Sequence, residues 1–180
     1  MRTAVLVLIA YLLAVVLASV WRLVPLGVTS VAIPDIFALT AAYLGLTARQ
    51  GVAPAVGGAV VLGYLGDLLC GAPPGLISLT AGVVCIVAYA ANSRILVRGL
   101  ATNVGFSAFV AAAAALFIVV LRLVNGLAVA SPSVEVWRVI GPAIATGVCG
   151  PIVLRWYRRI DAAFARTQRE RDHALEGLAP

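Results

Sequence analysis

The chain has no lysine, a single histidine and seven acidic residues in 180 positions, and only two of those acids, Asp35 and Asp67, come before Glu135. Charged residues make up 11% of the sequence, against about 25% in an ordinary soluble domain. A soluble globular fold is therefore excluded. His173 has no cysteine or second histidine near it, and Cys70, Cys85 and Cys149 are too widely spaced to read as a metal-ligand set or a disulfide framework. The cysteines read as small core residues and His173 as a solvated side chain. No glycine-rich phosphate loop and no Ser/His/Asp or Cys/His constellation is present. Neither enzyme chemistry nor a cofactor is expected.

What is present is apolar sequence: 63% of residues are hydrophobic and the mean hydropathy is +1.09. Six runs are candidates to cross a bilayer: Thr3–Trp21, Val31–Thr47, Val52–Cys70, Leu76–Ala91, Leu100–Leu121 and Val139–Trp156. The predicted fold is all-α, a polytopic bundle of six transmembrane helices over residues 1–157, followed by a basic and polar cytoplasmic tail over 158–180. The first run, about 18 apolar residues, exceeds the roughly 7–15 of a secretory signal core and is expected to be retained.

All thirteen basic residues besides the histidine are arginines. With a cytoplasmic N-terminus, Arg2, Arg49, Arg94, Arg98 and the six from Arg155 to Arg171 fall inside, while Arg22, Arg122 and Arg138 fall outside. That distribution follows the positive-inside rule and places both termini in the cytoplasm. It also accounts for the pI of 9.9, so nucleic acid is not an expected partner. The basic C-terminal cluster is expected to meet an anionic lipid leaflet.

The stretch from Pro34 to Gly75 holds the two costly acids. Asp35 lies 15 residues before Gln50 and Asp67 lies 17 after it, about 22–26 Å of helix, which predicts both near the surface opposite the shared turn. Asp35, following Pro34, reads as a helix-start residue. Ala55, Ala59, Gly63 and Asp67 recur every four residues and form a small stripe, widened by Gly58 and Gly66, that is expected to pack on another helix. Candidate partners of Asp67 are Arg22, Arg122, Arg138 or the backbone N–H groups of the following turn. Cys70-Gly71-Ala72-Pro73-Pro74-Gly75 predicts a stiff hairpin. On charge alone, Asp67→Leu is expected to be milder than Asp67→Lys. Ala10, Ala14 and Ala18 form a second small face, on the first helix, which suits packing within the bundle or docking of a partner helix and is taken as the candidate partner face. Val134–Arg138, with its Trp137, predicts a segment lying at the membrane surface.

Pro34-Asp35, the run Gly63-Tyr64-Leu65-Gly66-Asp67-Leu68-Leu69 and the turn Gly71-Ala72-Pro73-Pro74-Gly75-Leu76 together resemble MreD, the rod shape-determining membrane protein family. The resemblance covers about residues 34–95. It implies a non-enzymatic scaffold of bacterial cell elongation in the cytoplasmic (inner) membrane. Its implied partners are MreC most directly, with MreB, RodA and its penicillin-binding transpeptidase in a larger complex. Pro34, Asp35, Gly63, Gly66, Asp67, Gly71, Pro74 and Gly75 are then structural or interaction residues. MreD-like proteins are also similar in architecture to the substrate-binding subunits of energy-coupling-factor vitamin transporters. The alternative is such a subunit, whose alanine face on the first helix docks a transport module.

Overall fold

The computed structural model describes residues 2–23, 33–48, 51–92, 99–127 and 131–176. These form six helices: α1 (Arg2–Leu23), α2 (Ile36–Leu46), α3 (Val52–Cys70), α4 (Leu76–Asn92), α5 (Leu100–Val124) and α6 (Pro132–Glu176). Four of them, α1, α3, α5 and α6, are long and apolar enough to cross a membrane, whereas α2 and α4 are shorter apolar helices. The molecule is an all-helical membrane protein.

Two antiparallel hairpins, α3–α4 and α5–α6, are the most extensively packed pairs, with α2 against α4 close behind. Helix α2 lies between them, and α1 covers α2 and α3. The core contains Leu6, Leu39, Leu44, Leu62, Leu154 and Tyr157, interleaved with small residues such as Ala10, Ala41, Ala59 and Ala81. Small side chains let backbones approach closely, which supplies packing where lipid removes the hydrophobic drive between helices. Gly63 shows how close that approach is. A Cβ there would stand 2.5 Å from Ser78 Cα and 2.7 Å from the Ile77 carbonyl, both backbone atoms of α4.

Gly63→Ala is therefore expected to push α3 and α4 apart and lower stability by about 1–3 kcal/mol, the usual range for overpacking. Gly57→Ala, on the same helix but facing open space, is expected to be neutral. Thermal unfolding of both variants in detergent checks the contrast.

Several predicted boundaries are corrected. Of the run Val31–Thr47 only 11 residues are helical, about 16 Å of axis against the roughly 30 Å of a hydrocarbon core; residues 31–32 lie outside the described set. The surface segment Val134–Arg138, the span Val139–Trp156 and most of the predicted tail are one continuous helix of 45 residues. The helix therefore runs on without a break past the 157/158 limit of the expected membrane domain. Pro142 and Pro151 lie within this helix and did not break it, because neighbouring helices hold a membrane helix at such points.

Exposed apolar side chains run along α6 through Trp137, Ile140, Ile144, Val148, Ile152 and Trp156. The two tryptophans are about 28 Å apart along the axis, close to the thickness of a hydrocarbon core, and tryptophan favours the two interfaces. This gives a depth scale for the rest of the bundle.

Candidate functional site

The first polar cluster joins α3 to the start of α4. The chain leaves α3 through Gly71, whose left-handed backbone (φ 62°) lets its N–H return to the Asp67 carbonyl. Gly75 (φ 95°) then turns the chain into α4. This brings the first N–H groups of α4 onto the Asp67 side chain. Oδ2 accepts from the N–H of Gly75 (2.9 Å) and of Ser78 (3.3 Å), and Oδ1 accepts from the N–H of Ile77 (2.8 Å). Asp67 is 2% exposed. A helix leaves its first N–H groups without internal partners and carries partial positive charge at that end. The carboxyl group of α3 answers both. Of the candidate partners for Asp67, the backbone of the following turn is the one it meets. Among the described residues Arg122 and Arg138 sit instead on Glu135, at 3.8 Å and 3.0 Å, and the Arg22 side chain lies outside the described set.

Asp35 does the same work locally. As N-cap of α2 it accepts from the Ala38 N–H at 2.9 Å, and its own N–H donates to Thr146 Oγ of α6 at 2.8 Å. Pro34 before it is buried. Thr146 lies nine residues after Trp137 and ten before Trp156, so Asp35 sits near the middle of the apolar band. Gly66 packs on Phe37 and Ile77, which puts Asp67 alongside. Both acids were expected near a membrane surface. The shortness of α2 moves Asp35 inward, because only about 12 Å of helix separates it from Tyr43, whereas Asp67 keeps its place near the C-terminal end of α3, one turn before Gly71.

The second cluster was not read from the sequence. Asp161 of α6 receives Arg2 of α1 on both oxygens, with Nε at 2.7 Å from Oδ1 and Nη2 at 2.6 Å from Oδ2. The Tyr43 hydroxyl of α2 donates to Oδ2 at 2.6 Å, and Arg2 Nη1 also donates to the Thr47 carbonyl at 3.1 Å. One turn earlier on α6, Tyr157 shares a hydrogen bond with Thr40 (2.8 Å) and packs its ring 5.2 Å from that of Tyr43. Three helices are thereby tied at one end. The available signal was helical spacing: Tyr157 and Asp161 are four residues apart and share a face. Ending the helix near Trp156 concealed it.

The first-helix stripe is also corrected. Ala10 and Ala14 are enclosed in the chain's own core and Ala18 is half-buried, so α1 leaves exposed Leu8, Leu12, Val16 and Val20. Gly71, Pro74 and Gly75 are at the exposed tip of the α3–α4 hairpin. Among the described residues no group of three or more His, Cys, Asp or Glu is gathered where it could hold a metal ion.

The fold and these clusters define a helical membrane protein whose interior acids hold helix ends and tie helices together. No protein-family model, curated protein or solved structure matches the chain.

Proposed function

We propose that this protein is a non-enzymatic scaffold of the MreD kind, acting in the elongation machinery of a bacterial inner membrane. In this reading α2 and α4 complete a six-helix membrane domain with both termini in the cytoplasm, similar in architecture to energy-coupling-factor binding subunits. MreC is the most direct partner, within a complex that includes MreB, RodA and its transpeptidase. The supporting observation is that the separated segments carrying the resemblance converge on one unit. Gly66 rests on Phe37 and Ile77, Asp67 holds the α4 start at Gly75, and Asp35 opens α2 beside them. A scaffold works by presenting a fixed surface, and this unit fixes the hairpin that ends in the exposed Gly71–Gly75 turn. The second reading is a binding subunit of a vitamin transporter.

An affinity pull-down from native membranes in mild detergent separates the two. Recovery of an MreC-type protein and elongation synthases is the expected result. Recovery of an ATPase-linked transport module would replace the scaffold by the transporter subunit.

A further inference from the structure

The end of the apolar band on α6 carries a second kind of surface. Trp156 is half-exposed at the band's edge, and Arg155 and Arg159, one turn apart, flank it and are both exposed. Neither forms an ion pair or hydrogen bond with another described residue. Their neighbours are otherwise engaged: Arg158 donates to Asn103 Oδ1 of α5 at 2.8 Å, and Arg2 is held by Asp161. Asp161 is the carboxylate nearest in sequence, but it lies about 200° round the helix from Arg159 and is occupied by Arg2 and Tyr43. Two uncompensated guanidinium groups therefore stand beside an interfacial indole, at the depth where lipid phosphates begin.

We infer that Arg155, Arg159 and Trp156 form a binding surface for the headgroup of an anionic phospholipid in the leaflet at the Asp161 end of the bundle. Guanidinium donors match phosphate oxygens in pairs, and the indole sits against the glycerol and upper acyl region. Charge complementarity selects this occupant: a leaflet with negative surface potential attracts basic residues at its boundary. The inference is independent of the scaffold reading, since it needs only the membrane position of α6.

The test uses the full chain in detergent, titrated with phosphatidylglycerol or phosphatidylcholine, with retained lipid counted by native mass spectrometry. Wild type is expected to retain phosphatidylglycerol preferentially. The double variant Arg155→Gln/Arg159→Gln is expected to lose about 25-fold in that preference, at roughly fivefold for each arginine near an anionic surface. Its lipid-free melting temperature should stay at the wild-type value, since neither side chain ties helices together. Arg138→Gln, at the opposite end, is expected to keep the full preference. An unchanged preference in the double variant would overturn the inference. So would displacement of the retained phosphatidylglycerol by equimolar inorganic phosphate or by a soluble acidic peptide, the latter pointing to an acidic protein partner.

Discussion

Replacing Asp67 by alanine is expected to lower stability by about 2–4 kcal/mol, and to do so through α4 before any other helix. The carboxyl group accepts three backbone N–H groups, from Gly75, Ile77 and Ser78, at 2.8–3.3 Å. A buried donor stripped of its acceptor costs about 1–3 kcal/mol. The three do not simply add, because Gly75 is exposed and regains water, whereas Ser78 is buried. Asp67→Leu removes the same acceptors and belongs with alanine, while Asp67→Lys also sets a buried positive charge against the α4 start and is expected to be worse than either. Asp67→Asn keeps one acceptor and turns an amide donor toward the remaining N–H groups, which places it about midway. Unfolding in detergent gives the order Asp, Asn, then Ala and Leu. Hydrogen exchange should show early opening at Ile77 and Ser78. Alanine at wild-type stability would mean that water or lipid headgroups satisfy the α4 start.

Removing Asp161 is expected to detach α6 from α1 and α2. Asp161→Ala leaves the Arg2 guanidinium and the Tyr43 hydroxyl without their shared acceptor. Bidentate arginine–carboxylate pairs are among the stronger hydrogen-bonded contacts, but the Arg2 side chain is 36% exposed, so the ionic share is discounted for solvent. A loss of about 1–3 kcal/mol follows, and a double-mutant cycle between Arg2 and Asp161 should return most of it as coupling. Tyr43→Phe should lose about 1 kcal/mol, the share of one hydrogen bond. Truncation after Tyr157 provides the sharper comparison. A disposable tail would leave the melting temperature unchanged, whereas the clasp requires truncation to match Asp161→Ala at the least. A truncated protein as stable as the whole would remove Asp161 from the fold's support.

The apolar runs, the sparse charge and the arginines determined by themselves that this is a helical membrane chain, because no water-exposed fold tolerates so little polarity. Local chemistry also marked the helix ends: Pro34-Asp35 opens α2, and the glycines and prolines from Gly71 to Gly75 turn α3 into α4, where backbone geometry depends on near neighbours alone. The small stripe through Ala55, Ala59 and Gly63 was legible as a close contact for the same reason. What faced that stripe was not legible, and neither was the depth of Asp35. Whether Ala10 and Ala14 meet a partner or their own bundle depends on where α2 and α3 lie. By sequence Asp161 belongs to the tail; in the fold α6 runs on past Trp156 and brings it to Arg2, 159 residues away in sequence. Asp67 had several arginines within plausible reach, and the backbone of the next helix took its place because a helix N-terminus offers several aligned donors without desolvating a second charge. Spacing in a sequence fixes which side chains share a face; only the packed bundle decides what that face meets.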